Sequence, residues 1–232
     1  MGTCVVTGGA GDIGAALVQL LQAAGHRAIS FDLDHNPLAD LSMALDVTDE
    51  AAVGAAFAQT GPLSGLACIA GINTQGRVED MAWADWQRIM AVNVGGTMLA
   101  VKHASPNLQP GGAIVLMGSV SAHIGTDGST AYHTSKGAVL GLMRAASGEF
   151  AAQGVRVNAV SPGWVDTGFT DRALAGLPDA AAIRRDAAAA HMLRRMAAPT
   201  EVAEAMLFLL SDQASFITGT ELLVDGGFLR KA

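Results

Sequence analysis

Thr3-Cys4-Val5-Val6-Thr7 is a short β-branched, apolar run that leads without a break into Gly8-Gly9-Ala10-Gly11-Asp12-Ile13-Gly14. Ala15 to Ala24 then reads as a helix with Leu17, Leu20 and Leu21 on one side. Strand, glycine-rich turn and helix in that order commit the chain to a βαβ unit of the dinucleotide-binding kind. Glycines let the backbone come close to a pyrophosphate, and the free N–H groups at the helix start bind it. Asp32 ends the next strand, Ala28-Ile29-Ser30-Phe31. An acid about 20 residues beyond the glycine turn is placed to accept hydrogen bonds from an adenosine ribose 2′-hydroxyl. The same carboxylate repels a 2′-phosphate, and neither Gly11 nor Leu33 brings a positive charge to receive one. NAD is therefore favoured over NADP. The neighbouring Asp34 reads as an ordinary solvated loop aspartate.

Tyr132 and Lys136 stand four residues apart in Ala131-Tyr132-His133-Thr134-Ser135-Lys136, with Ser119 thirteen residues upstream. On a helix such a pair shares a face, with Cβ atoms roughly 5–6 Å apart. A lysine ammonium so placed stabilises a neighbouring phenolate, drawing a tyrosine of free pKa about 10 toward service as a base nearer neutrality. Ser119 would donate a hydrogen bond to the same substrate oxygen. A Tyr-x-x-x-Lys pair alone also arises by chance on solvated helix faces. Its weight here comes from being built on the chain's single tyrosine and from the other parts of one chemistry arranged around it.

With those residues in view, the chain resembles the short-chain dehydrogenase/reductase family, in its branch with one compact domain, from about Thr3 to Gly227. The family's cofactor loop, Thr-Gly-x-x-x-Gly-x-Gly, is matched by Thr7 to Gly14. Its Asp-Val is matched by Asp46-Val47, its Asn-Asn-Ala-Gly by Cys68-Ile69-Ala70-Gly71, and its helix asparagine by Asn93. Ser161-Pro162-Gly163 carries the Pro-Gly turn, and Thr218-Gly219 and Val224-Asp225-Gly226-Gly227 complete the order. The resemblance implies an α/β fold, a single Rossmann-type doubly wound parallel sheet of about seven strands with helices on both faces. It implies a catalytic set of Asn93, Ser119, Tyr132 and Lys136. The cofactor contacts it implies are Gly8, Gly11, Asp12, Ile13 and Gly14 in the loop, Asp32 at the ribose, and Asp46 and Val47 on the adenine side. Ala70, Gly71, Tyr132, Lys136, Pro162, Gly163 and Val165 follow, with Thr167 where the nicotinamide carboxamide is usually held. Tyr132 would take the proton from a secondary alcohol as hydride passes to the nicotinamide. Lys136 would also hold the nicotinamide ribose, and Asn93 would anchor a water linking Lys136 to solvent.

Two positions depart from the pattern. Asp12 replaces the second glycine, where a carboxylate suits the helix dipole but confronts the cofactor's phosphates. It is expected to point to solvent and to weaken cofactor binding. The alternative register Gly8-x-x-Gly11-x-x-Gly14 resembles longer, epimerase-type relatives, whose C-terminal substrate domain finds no residues here. Cys68-Ile69 replaces two asparagines, removing side-chain hydrogen bonds that brace the sheet. Cys4 and Cys68 fall in strands expected to be neighbours, as buried, inert thiols rather than a redox pair.

At 232 residues, 50% of them apolar, the chain can bury a large core as one domain. A net charge of −7 argues against nucleic-acid and anionic-membrane surfaces. No apolar run approaches the ~18 residues of a membrane span, no basic leader precedes the cofactor loop, and a cytoplasmic enzyme is expected. The six histidines show no His-x-x-x-His spacing, so no metal site is expected, and no Gly-x-Ser-x-Gly elbow suggests a serine hydrolase.

Strands are predicted near 3–7, 27–31, 42–46, 65–70, 113–118, 154–160 and 221–224. Helices are predicted near 13–24, 49–59, 84–104, 130–152 and 200–211, the last capped by Thr200. Shorter helical pieces between 168 and 195 belong to an insertion, about 164–198, expected to form a lid over the substrate. Trp164, Phe169, Leu174, Leu177 and Met192 make that lid apolar, fitting a hydrophobic or cyclic alcohol. Arg184, Arg185, Arg194 and Arg195 offer an acidic-substrate reading, although paired arginines more often face solvent. Asn73, Gln75 and Ser121 keep a sugar or polyol open, and His123 and His133 flank the site as solvated or packed residues. Small residues along Gly137 to Met143 suit helix pairing across a two-fold axis, and the family implies a homotetramer. Two other functions stay in play: a 3-oxoacyl or ketone reductase using NADPH, against which Asp32 speaks, and a non-catalytic NAD-binding sensor.

Overall fold

A computed structural model describes residues 2–175 and 179–230. Its strands are β1 (Thr3–Thr7), β2 (Arg27–Asp32), β3 (Leu41–Ala44), β4 (Leu63–Cys68), β5 (Leu108–Met117), β6 (Arg156–Pro162) and β7 (Glu221–Val224). All pair in parallel in one sheet of order β3-β2-β1-β4-β5-β6-β7. The helices are α1 (Asp12–Ala23), α2 (Glu50–Phe57), α3 (Trp83–Met90), α4 (Thr97–Ala104), α5 (Thr130–Phe150), α6 (Gly168–Leu174), α7 (Ala180–Ala190) and α8 (Pro199–Leu210). The chain lays strands outward from β1 to β3, then returns to place β4 on the other side of β1. The loops leaving β1 and β4 therefore diverge, and this switch point opens a crevice at the carboxyl ends of the strands.

The strands read as nearly continuous apolar runs because both faces of the sheet are covered. Alternation sends Val5, Leu66, Cys68, Ile114 and Leu116 to one face, against Phe57 of α2, Leu99 of α4, and Val139, Met143 and Phe150 of α5. Cys4, Val6, Ala67, Val115 and Met117 go to the other, against Leu17 and Leu21 of α1 and Val202, Met206 and Leu209 of α8. Phe31, Phe57, Leu66 and Met206 are fully buried, worth about 1.5–3 kcal/mol each before entropy is counted. β1 and β4 are neighbours as expected, yet Cys4 and Cys68 sit on opposite faces. Both are free, and burial pushes both thiols up.

Strand ends differ from expectation where side chains or turns capture backbone groups. β4 stops at Cys68 because the N–H groups of Ile69 and Ala70 turn to Thr7, reaching its carbonyl at 3.1 Å and its Oγ1 at 3.2 and 3.4 Å. β3 stops at Ala44, before Asp46, whose Oδ1 accepts from Thr48 N (2.9 Å) and Thr48 Oγ1 (2.8 Å). The helix predicted over 84–104 is three pieces: α3, a π-helical turn over Ala91–Gly96, and α4. Gly95 and Gly96 lie in this turn, where the absence of side chains eases the wider winding, and such turns cluster at functional positions.

Thr200 does not cap α8. Pro199 occupies the first turn, a position where its missing N–H costs nothing. Glu201 reaches back instead, its Oε2 accepting the Ala198 N–H at 2.8 Å.

Candidate active site

The carboxyl ends of β1, β2, β4, β5 and β6 surround a cleft of about 920 Å³. Each of the predicted cofactor residues lines it, as do Ser119, Tyr132 and Lys136. Asn93 alone stands behind the wall, 1% exposed.

The glycine loop is tight for steric reasons. Gly8 has φ of 70°, and a Cβ there would lie 2.6 Å from Ala70 N. A Cβ on Gly14 would lie 2.1 Å from the Gly8 carbonyl oxygen, so α1 can start against the turn only with glycine there. Gly11 offers α1 no side-chain cap, leaving the N–H groups of the first turn available for an anion. At the end of the crevice beside this loop, Asp32 Oδ2 accepts the Ala10 N–H at 2.9 Å. One carboxylate thus fixes the loop while lining the cleft. Asp32, Leu33, Asp34, Asp46 and Thr48 line this end, and none is cationic.

Asp12 corrects an expectation in part. It is exposed, as expected, but not left to solvent alone: its Oδ2 accepts the N–H of Gly168, the first residue of α6, at 2.9 Å. The phosphate-loop helix and the segment 164–198 are therefore joined through the residue that departs from the family pattern.

Ser119 follows β5 and Tyr132 lies in the first turn of α5. Burial of the phenol pushes its pKa up to about 12, against the opposing effect of the Ser119 hydroxyl beside it. Burial brings Lys136 down to about 8; its Nζ donates to the Met117 carbonyl at 2.9 Å and lies 5.5 Å from the Tyr132 ring centre. In the protein alone, desolvation of the phenol outweighs the Ser119 hydroxyl, and the Lys136 ammonium gives its hydrogen bond to Met117 O.

Asn93 is engaged on every side. Its Oδ1 accepts Ile72 N–H at 2.8 Å, and its Nδ2 donates to Ile72 O and to Ser135 Oγ, both at 3.0 Å. It clamps the loop after β4 onto α5, one residue from Lys136. The expected water anchor finds both amide protons already used by protein groups.

From the stretch after β6, Trp164, Val165, Thr167, Phe169, Thr170, Arg172 and Ala173 line the cleft. Phe169 stands 6.0 Å from the Tyr132 ring, centroid to centroid. Thr167 both lines the cleft and caps α6, accepting Thr170 N–H. Of the other predicted apolar residues, Leu174 at the end of α6 is buried, Met192 is 50% exposed, and Leu177 lies outside the described residues. The four arginines read as possible substrate contacts serve elsewhere or stay solvated. Arg184 binds Asp166 and Asp171, Arg195 binds Glu201, Arg194 donates to Ala189 O, and Arg185 is exposed. Asn73, Gln75 and Ser121 do line the cleft, and Asn73 Oδ1 is buried there without a partner among the described residues. His123 pairs with Glu221, and His133 bonds Ile124 O and Thr126 Oγ1.

Three residues went unnoticed in the sequence. Thr7, Ser135 and the buried His191 hold, respectively, the loop after β4, Asn93, and the Pro-Gly turn. Nε2 of His191 accepts Trp164 N–H at 3.2 Å, which leaves Nδ1 to donate to Ala187 O at 2.8 Å. Ser135 carried a readable signal, adjoining Lys136 on a helix. His191 carried none, since its contact spans 27 residues.

A family profile described as enoyl-(acyl carrier protein) reductase matches residues 8–229. The 2-(S)-hydroxypropyl-CoM dehydrogenase 3 of Xanthobacter autotrophicus is 38% identical over 96% of this chain and 94% of that protein. The cis-4-hydroxycyclohexanecarboxylate dehydrogenase of Sinomonas cyclohexanicum is also 38% identical, over 97% of this chain and 95% of that protein. The ligand-free aldohexose dehydrogenase of Thermoplasma acidophilum superposes with a TM-score of 0.92 at 34% identity, covering 99% of this chain and 94% of that one. The chain belongs to the short-chain dehydrogenase/reductase family and is an oxidoreductase acting on CH–OH groups.

Proposed function

We propose that this protein is an NAD-dependent dehydrogenase that interconverts a secondary alcohol and a ketone, with Tyr132 as the proton-transferring group. The observation that carries the reading is the convergence of Ser119, Tyr132 and Lys136 on the wall of the cleft that also holds the glycine loop. The oxidised nicotinamide, when bound, supplies the hydride acceptor and a positive charge beside the phenol. Tyr132 Oη takes the alcohol proton and returns it in the reverse direction. Ser119 Oγ donates to the substrate oxygen as its charge changes. Lys136, one helical turn on, supports the phenolate electrostatically and would hold the nicotinamide ribose. Asn93 acts as a positioning residue, fixing the loop after β4 against α5, and Phe169 helps to exclude water above Tyr132.

The loop fits a pyrophosphate, since Gly8 and Gly14 leave no room for a side chain and α1 presents uncapped N–H groups. Gly8, Gly11, Asp12, Ile13 and Gly14 would face it. Asp32 would hold the adenosine ribose, Asp46 and Val47 the adenine, and Ala70, Gly71, Pro162, Gly163, Val165 and Thr167 the nicotinamide half. NAD is favoured because the ribose end is lined by acids and neutral groups only. The three relatives named above act, by their names, on alcohols of quite different shape, so the substrate is not inherited from any of them. Asn73 Oδ1, buried in the cleft wall and unpartnered among the described residues, supports a substrate that carries a further hydrogen-bond donor. We further propose one domain with a lid at about 164–198, a cytoplasmic location, and a homotetramer. In support of the last, Gly137 and Gly141 on α5 have open space beside them.

The test is formation of NADH across aliphatic, cyclic, steroidal, sugar and hydroxy-acid secondary alcohols, with NADP in parallel. Turnover with NAD that falls about 10³-fold in Tyr132→Phe, at unchanged NADH affinity, is the expected result. NADP preference would move the ketone-reductase reading ahead. Tight NADH binding without turnover on any alcohol or ketone would favour a sensor.

A further inference from the structure

Three cations line the cleft, and they are not equivalent. Lys136 is buried beside Tyr132, and Arg88 belongs to α3 on the wall near Ala91 and Val92. Arg172 is the one carried by the covering segment, on α6. It is exposed and makes no ion pair among the described residues. Its neighbours explain why its charge stays uncompensated. Asp166 and Asp171, the acids flanking it in sequence, are both taken by Arg184 from α7.

The place where that charge sits is defined by Gly168. A Cβ on Gly168 would lie 3.4 Å from Arg172 Nη1 and 3.6 Å from Asp12 Oδ2. Arg172 Nη1 and Asp12 Oδ2 thus both come close to Gly168 without pairing with each other among the described residues, and Asp12 opens α1 where the loop leaves N–H groups for an anion. The wall of the cleft otherwise carries Asp12, Asp32, Asp34 and Asp46, in a chain of net charge −7. A dianionic pyrophosphate entering such a mouth meets repulsion, and Asp12 adds to it at close range. A cation on the cover, at the residue that supplies the repulsion, offsets it.

We propose that Asp12 and Arg172 form a two-part clasp across the mouth of the cofactor groove. Asp12 fastens the start of α6 to the phosphate loop, and Arg172 is thereby held where it receives the pyrophosphate. The clasp rests on the dinucleotide reading above. It adds that a glycine-to-acid change in the loop is matched by a lid arginine, so that lid position and pyrophosphate affinity are coupled. Asp12 and Arg172 are positioning and binding residues; neither touches the transferred hydride.

ADP-ribose carries the pyrophosphate without the nicotinamide, and adenosine lacks the phosphates, so calorimetric titration of the cofactor-free protein with each isolates the contact. Arg172→Gln should weaken ADP-ribose about tenfold, flatten the salt dependence of its binding, and leave adenosine affinity and the thermal midpoint unchanged. Asp12→Asn keeps an acceptor for the Gly168 N–H while removing the charge. It should tighten ADP-ribose about threefold, the size of a like-charge repulsion through water at such separations. Asp12→Gly removes the tether and should raise amide hydrogen exchange over residues 168–174 in the cofactor-free protein. Unaltered ADP-ribose affinity in Arg172→Gln, with a raised KM for the alcohol, would assign the cation to an acidic substrate and overturn the clasp alone. Unchanged exchange in Asp12→Gly would remove the tether. Wild-type protein that fails to bind ADP-ribose would overturn the clasp and the dinucleotide reading together.

Discussion

The floor of the cleft and its cover are held by different forces. On the floor, Thr7 binds two backbone N–H groups of the loop after β4, Asp32 binds the glycine loop, and Gly14 presses on Gly8, all above strands buried on both faces. The cover relies on exposed charges: Arg184 with Asp166 and Asp171 inside it, and Arg195 with Glu201 and Asp12 with Gly168 N–H at its edges. Among its described residues the buried polar groups are Thr167 and Thr170, bonded to each other and to Val165 O, and His191, which accepts Trp164 N–H beside the Pro-Gly turn. Close packing and buried hydrogen bonds give a fixed geometry, whereas solvated ion pairs give little stability and reversible attachment. A rigid floor suits proton and hydride transfer, and a loosely attached cover suits the entry and release of ligands.

The contrast can be broken at four points of decreasing effect. Gly14→Ala forces a Cβ into the Gly8 carbonyl and should cost about 3 kcal/mol or more in denaturant unfolding, with loss of NADH binding. Asn93→Ala, which strips three hydrogen bonds from a buried site, should cost about 1–3 kcal/mol and loosen amide exchange at Ile72. Arg184→Ala should change global stability by less than about 1 kcal/mol yet raise exchange in α7, because it unties α7 from Asp166 and Asp171 and touches nothing beneath. A global loss as large as that of Asn93→Ala would refute the division of the molecule drawn above. Glu201→Gln is the smallest. Arg195 and the Ala198 N–H hold Glu201 down to about 2, so its contribution is present above the ordinary carboxylate pKa near 4.3 and fades as pH falls toward 2. The variant should therefore flatten the acid limb of the stability curve, lying slightly below the wild type at neutral pH and converging with it as pH falls toward 2.

Proton linkage sharpens the same contrast inside the floor. Lys136 falls from an ordinary 10.5 to about 8 on folding, so the unfolded chain binds its proton more tightly, and stability from this group rises as pH climbs from about 8 toward 10.5. Tyr132 rises from 10 to about 12, and its contribution falls with pH across that interval. As the chain's single tyrosine, its phenolate absorbance can be followed without ambiguity. In the cofactor-free protein it should appear well above pH 10, and saturating NAD should bring it to lower pH. An unshifted titration with NAD bound would remove Tyr132 as the base.

Much of the floor was legible because it is written in local rules. The Thr3–Gly14 strand and turn, the 3.6-residue spacing of Tyr132 and Lys136, and the apolar strands each need only a few consecutive residues to declare themselves. The alternation along β1 and β4 also fixed what the neighbouring positions of Cys4 and Cys68 left unsaid, their place on opposite faces. The π turn around Asn93 was not legible, since its spacing differs by one residue from the helix it interrupts. Nor was the state of Tyr132: its spacing from Lys136 was readable, but the ammonium's hydrogen bond to Met117 and the desolvation of the phenol come from elements the two residues pack against.

By itself the sequence determined the βαβ start, the strand order's family, and the identity of the groups that can move a proton. Only the tertiary structure decided what Asp12, Arg172, Asn93 and His191 do. Each acts through a partner far along the chain, and a hydrogen bond such as that from Gly168 to Asp12, 156 residues apart, has no period or spacing by which a sequence can announce it.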